Sequence, residues 1–160
     1  MTKPEATYCY RYPRPALTAD CVLFRPAADG SGWATLLIRR AHAPYEGHWA
    51  FPGGFMEMDE TIEACAAREL QEETGLTGLA LQQFGVFSAP GRDPRGRVVS
   101  VAFYAFAPAG QPEAVAGDDA ADARWFALSA LPPLAFDHAE MLRRACAAAF
   151  PHASPLAGRP

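Results

Sequence analysis

What this chain has little of narrows its reading first. No apolar run reaches the 18 or so residues needed to cross a bilayer, and the start, Met1-Thr2-Lys3-Pro4-Glu5, lacks the apolar stretch of a signal peptide. A cytoplasmic protein with no membrane partner is expected. The four cysteines, Cys9, Cys21, Cys65 and Cys146, form no C-x-x-C pair and have no zinc spacing, so free thiols are expected. A basic excess is also missing. Net charge is −4, which argues against nonspecific duplex binding, and no nucleic-acid partner is expected. A small anionic ligand stays open, because local arginines matter more there than the total. No repeat and no internal linker appear.

What is present suits one globular domain. Half of the 160 residues are apolar and a fifth are charged, enough for a sizeable core. Residues 1–16 are rich in tyrosine and proline and read as an extended arm that packs on the domain or on a second subunit, which suggests a homodimer. Residues 17–150 form the domain, and 151–160 a frayed tail. Leu17 to Phe24 and Trp33 to Arg40 read as strands in a hairpin, parted by the turn cluster Pro26 to Gly32. Pro44 to Gly54 is a loop with an extended piece at Trp49-Ala50-Phe51 and a tight turn at Pro52-Gly53-Gly54. Asp59 is the expected N-cap of a helix over Glu60 to Thr74, stopped by Gly75. Leu79 to Ser88, Val98 to Ala107 and Ala123 to Leu128 read as strands, and Asp137 as the cap of a last helix reaching about Phe150. Strands, helix, strands, helix: this order argues for an α+β sandwich with a mixed sheet.

The first helix carries the chemistry. Glu69, Glu72 and Glu73 fall within an arc of about 100° on a helical wheel. They continue the stripe of Ile62, Cys65 and Ala66, where periodicity calls for apolar residues. Like charges so placed repel, and the helix C-terminus disfavours anions. Arg68 projects about 100° away from Glu69, so it is not expected to serve all three. A hard divalent cation with oxygen ligands accounts for the cluster better than a solvated patch.

Gly54, Glu60, Arg68-Glu69-Leu70, Glu72-Glu73 and Gly75-Leu76 occupy every specified position of G-x(5)-E-x(7)-R-E-U-x-E-E-x-G-U, with U aliphatic. This segment resembles the Nudix box, and Trp49-Ala50-Phe51-Pro52-Gly53 resembles the family's approach to it. The resemblance implies a Nudix-like α/β/α sandwich and hydrolysis of a nucleoside diphosphate derivative with Mg²⁺ or Mn²⁺. By position it implies Glu69 and Glu73 as principal metal ligands, Glu72 as a further ligand or base, and the Gly54 carbonyl as a last ligand. Glu60 and Arg68 would hold loop and helix in register.

Further segments resemble the ADP-ribose pyrophosphatase branch: residues 12–20, Leu36-Leu37-Ile38-Arg39-Arg40, residues 88–97 and Leu134-Ala135-Phe136-Asp137-His138. The expected substrate is a small nucleotide, ADP-ribose or a related nucleotide sugar, cut to AMP and a sugar phosphate. The alternatives are a pyrophosphohydrolase of oxidised or non-canonical (d)NTPs and a ligand-sensing regulator. On the loop 89–97, Arg92 and Arg95 are candidates to clamp phosphate, or Arg92 pairs with Asp93 to brace the loop. One of Arg39 and Arg40 contacts phosphate, with Arg39 as the candidate. The acidic loop offers Asp119 or Asp118 as general base, with Glu113 and Asp122 as rivals, and Glu57 is a candidate for an extra metal contact. Tyr45, Phe51, Phe87 and Trp125 are candidates to stack on adenine, and His42, His48 and His138 are read as structural or exposed.

Overall fold

A computed structural model describes residues 8–28, 30, 32–108 and 120–152. Among the described residues seven strands make one mixed sheet: β1 (Ala16–Pro26), β2 (Trp33–Arg40), β3 (Trp49–Ala50), β4 (Gly53–Phe55), β5 (Gln82–Phe87), β6 (Val98–Phe106) and β7 (Ala120–Ala127). The helices are α1 (Ile62–Thr74) and α2 (His138–Ala149). The sandwich expected of the sequence is the one observed.

β1 is the hinge of the architecture. Along one edge it runs parallel to β6, from Ala16↔Val98 to Phe24↔Phe106. Along the other it is antiparallel to β4 at residues 18–20 and to β2 at residues 24–26. β2 therefore splays away from β1, and the segment from β3 to β4 enters the gap. Pro52-Gly53-Gly54, read as a turn alone, in fact supplies most of strand β4.

Both faces of the sheet are covered, so β1 reads as a continuous apolar run rather than an alternating one. Ala19, Cys21 and Leu23 pack with Cys65, Ala66 and Leu70 of α1. Val22 and Phe24 point to the other side, against Met141, Leu142, Ala145 and Cys146 of α2. Asp20 lies in that second series, a carboxylate where the pleat calls for an apolar residue. None of the helices among the described residues is long and apolar enough to cross a membrane. The four cysteines are free, with Cys9 exposed and the others buried.

Candidate active site

The site is built from α1 outward. Its N-cap is Thr61, whose Oγ1 accepts from the Ala64 N–H at 3.2 Å. The expected cap, Asp59, and the first expected helical residue, Glu60, lie before the helix. Glu60 is committed elsewhere: its Oε1 accepts from the Glu57 N–H at 2.9 Å, and its carboxylate takes Nε and Nη2 of Arg68 at 3.0 and 2.7 Å. Those bonds hold the Glu60 carboxyl down to about 2. At the other end Gly75 is left-handed and its N–H caps Gln71 O at 2.8 Å.

Arg68 serves two of the three helix carboxylates, in line with the expectation that it would not serve all three. Its Nη1 donates to Glu69 Oε1 at 2.7 Å and to Glu72 Oε2 at 3.1 Å, while Nη2 also reaches the Phe55 carbonyl at 3.0 Å. The wheel places only the Cα–Cβ direction. A long side chain ending in five N–H donors turns back across it. Arg68 thus joins Glu60, the β4 strand and two of the three helix carboxylates, Glu69 and Glu72.

The three carboxylates occupy different environments. Glu72 is the open one, its side chain 59% exposed. Glu69 packs against Gly54, where a Cβ would lie 2.4 Å from its carboxyl carbon. Burial pushes its pKa up, against the pull of Arg68. Glu73 is deeper. Burial, with the neighbouring Glu69 and Asp20 charges, raises its carboxyl to about 8, although the Gly53 N–H donates to Oε2 at 2.8 Å. A buried carboxyl crowded by other carboxylates is stabilised by a nearby dication, which reverses each of those effects.

The donor set, carboxylates plus a backbone carbonyl, is all oxygen and suits Mg²⁺ or Mn²⁺. Among the described residues no three His, Cys, Asp or Glu side chains already converge as a metal cluster. Arg68 holds Glu69 and Glu72 toward itself.

Beside α1, the gap between β1 and β2 forms a cavity lined by Asp20, Arg40, Phe136 and His138, with Arg92 and Arg95 along one side. A second opening shares Arg40, Arg95, Gly53 and Gly54 and extends to Glu57, Glu69 and Glu73. Of the two strand-end arginines, Arg40 is the one that faces both openings. Arg39 is exposed and lines neither. Successive strand residues point to opposite faces, and Arg40 shares the cavity side with Ile38, two positions before it. Arg40 donates Nε to the Pro44 carbonyl at 2.7 Å and lies 5.0 Å from the Phe136 ring centre. Burial lowers its pKa, with the nearby Arg95 adding to the effect.

The arginines of the loop 89–97 divide differently from expectation. Arg92 is 5% exposed and grips Asp137, Nε to Oδ2 at 2.8 Å and Nη2 to Oδ1 at 2.6 Å. Asp93 pairs instead with Arg95, Nη2 to Oδ2 at 2.7 Å. Arg95 remains partly exposed and lies 4.8 Å over Phe55 and 5.7 Å from Phe136. Among the aromatic candidates, Phe51 and Phe87 are core residues, and Trp125 is covered by Arg25 at 4.2 Å. Tyr45 is exposed and packs on Phe136 with ring centres 4.7 Å apart. Asp122 pairs with Arg124 at 2.6 Å. Asp119, Asp118 and Glu113 lie outside the described residues.

Asp20, Ser100, Phe55 and Phe136 are not among the candidate residues read from the sequence, and His138 is read there as structural or exposed. Asp20 accepts a hydrogen bond from the Ser100 hydroxyl, and the His138 Nδ1 accepts from the Phe51 N–H at 3.0 Å. The one available signal was a lone aspartate inside the apolar run Leu17 to Phe24. Phe136, with φ of 52°, is a bulky residue in the left-handed region, a strain typical of functional sites.

Comparison with known proteins agrees with this geometry. The model of the NUDIX domain family matches residues 14–145. An ADP-ribose pyrophosphatase from Methanocaldococcus jannaschii is 47% identical over 108 residues, which cover 68% of this chain and 63% of that protein. A MutT/nudix family protein from Enterococcus faecalis superposes with a TM-score of 0.80 at 32% identity, covering 94% of this chain and 69% of that one. The NUDIX domain of Shewanella oneidensis NrtR, solved in complex with ADP ribose, gives a TM-score of 0.78 at 30% identity, covering 91% and 97%. The match thus spans under two thirds of the archaeal relative's length.

Proposed function

This chain belongs to the NUDIX domain family, and we propose that it hydrolyses the diphosphate of ADP-ribose or a related nucleotide sugar, with Mg²⁺ or Mn²⁺, to AMP and a sugar phosphate. One observation carries the reading: the half-buried Glu69 and Glu73 carboxylates open onto the same cleft as the Arg40 and Arg95 guanidiniums. Anionic and cationic walls a side chain apart suit a diphosphate held together with a divalent cation. The likeness to an ADP-ribose pyrophosphatase and to a domain solved with ADP ribose supports the choice of substrate.

Glu69 and Glu73, with Glu72 and the Gly54 carbonyl, would hold the cation. When bound it neutralises phosphate charge and lowers the pKa of a coordinated water. Arg40 and Arg95 bind and orient the phosphates. Arg68 and Glu60 fix the box loop to α1, so that the carboxylates keep their spacing. A carboxylate must take the proton of the attacking water. Glu72, exposed at the end of the cluster, serves as that base or as a ligand, and Asp119 is its rival.

A substrate panel tests the reading: ADP-ribose, NADH, diadenosine polyphosphates and modified dNTPs, each with Mg²⁺ or Mn²⁺. ADP-ribose is expected to give the highest kcat/KM. A faster triphosphate would transfer the assignment to nucleotide-pool cleaning. Glu73→Gln is expected to cut turnover by roughly 100-fold or more, and Asp119→Ala to lower kcat by about 100-fold or more if Asp119 is the base. Unchanged turnover in Glu73→Gln would remove it from the metal set.

A further inference from the structure

Asp20 and His138 have no part in the hydrolytic chemistry above, yet both line the cavity between β1 and β2. Asp20 is 7% exposed. Its Oδ2 accepts from the Ser100 hydroxyl. Its Oδ1 stands 3.7 Å from His138 Nε2, too far for a hydrogen bond.

The protonation of His138 follows from its other nitrogen. Nδ1 accepts from the Phe51 N–H at 3.0 Å and so carries no proton. Burial holds the ring below its ordinary pKa and therefore neutral. The single imidazole N–H is thus on Nε2. A fixed donor and a fixed acceptor stand side by side at the cavity wall.

That pair is selective by its chemistry. An anion would meet the Asp20 carboxylate, and a cation would meet the imidazole N–H. A hydroxyl both donates and accepts, and two hydroxyls on adjacent carbons suit the pair best: one donates to Oδ1 while its neighbour accepts from Nε2. The location narrows the ligand further. Gly53 donates its N–H to Glu73, and a Cβ on Gly53 would lie 2.8 Å from Asp20 Oδ1. One residue therefore separates the diol pair from the metal carboxylates. In a nucleotide sugar the group attached directly to the diphosphate is a sugar, and a base plane lies one sugar further out.

We propose that Asp20 and His138 form a subsite for the vicinal diol of a substrate ribose and make this chain select ribose over deoxyribose. The proposal rests on the pyrophosphatase reading of the same site. ADP-ribose offers such a diol on its adenosine and on its terminal sugar, so the test carries both. Wild-type kcat/KM is measured for ADP-ribose, for its 2′-deoxyadenosine analogue and for its analogue with a terminal 2-deoxyribose. One analogue is expected to fall about tenfold or more below ADP-ribose, and its identity names the ribose. Asp20→Asn is expected to shrink that ratio by a similar factor. Equal wild-type values for all three, or an Asp20→Asn variant that slows all three in proportion, overturns the subsite. The wild-type comparison stands even if the variant does not fold.

If the wild type cleaves none of them, the pyrophosphatase reading fails on its own. Calorimetric binding then decides the subsite, comparing ribose 5-phosphate with 2-deoxyribose 5-phosphate and AMP with dAMP. Weaker binding of one deoxy partner upholds it. Equal or absent binding in both pairs overturns it.

Discussion

Arg92 and Asp137, 45 residues apart in sequence, are joined by two parallel hydrogen bonds of 2.8 and 2.6 Å that tie the loop 89–97 to the N-cap residue of α2. Asp137 spends its carboxylate on this pair, which is why it makes no side-chain cap to its own helix. Removing Arg92 leaves a partly buried carboxylate without its partner. Arg92→Ala is expected to cost about 2–3 kcal/mol in urea unfolding. A loss below about 0.5 kcal/mol would mean that the pair braces nothing.

Gly54 touches the Glu69 carboxyl so closely that a methyl group has no room. Gly54→Ala is expected to displace Glu69 and to lower metal-dependent kcat by roughly 10- to 100-fold, with the far-ultraviolet circular dichroism preserved. Wild-type turnover in that variant would show that Glu69 is free to retreat without consequence.

Arg40 and Arg39 are neighbours with opposite outlooks. Arg40→Ala is expected to raise KM for ADP-ribose by about tenfold or more, the loss of one charged hydrogen bond. Arg39→Ala is expected to stay within about twofold, as befits an exposed charge. Steady-state kinetics on both variants decides, and the reverse order would place the wrong arginine in the cleft.

Acid should loosen the fold through His138 and Asp93. Burial keeps the His138 pKa below its ordinary value. Its contribution is therefore full above about 6.5 and is lost as pH falls below that. Burial alone would raise the Asp93 carboxyl, but the Arg95 hydrogen bonds outweigh it and lower the pKa. That contribution is full above 3.8 and is lost as pH falls further. Below about 6.5 the stability gap between wild type and His138→Gln is expected to close, by at most about 1.4 kcal/mol per pH unit. A gap that is constant from pH 7 to 5 would clear His138 of this role.

Much of this was legible because the strongest signals are local. The α1 stripe, the Gly75 stop and the strand at Trp33–Arg40 follow from periodicity and turn chemistry within a dozen residues. Thr61 displaced Asp59 as the cap because Glu60 is drawn off by Arg68, eight positions later. The wheel foresaw that Arg68 would not serve all three carboxylates, but which two it takes, and its bond to the Phe55 carbonyl, escaped because a wheel ignores side-chain length. The juxtaposition of Asp20 and His138 escaped for a different reason. Asp20, Ser100, Phe51 and His138 come from four separate segments, and nothing in the order of residues brings them together before the sheet does.

The forked edge of β1 has a consequence for how such a protein can be altered. One branch of the fork, β4 leading into α1, carries the carboxylates and the Arg68 brace. The other, β2 and the turn after it, carries Arg40 and Tyr45 and leans on β7. The two branches meet β1 at different residues, so the second can be exchanged while the first keeps its anchorage. Grafting residues 41–48 from a relative should therefore change the setting of Arg40, which the Pro44 carbonyl holds, while leaving the α1 carboxylates in place.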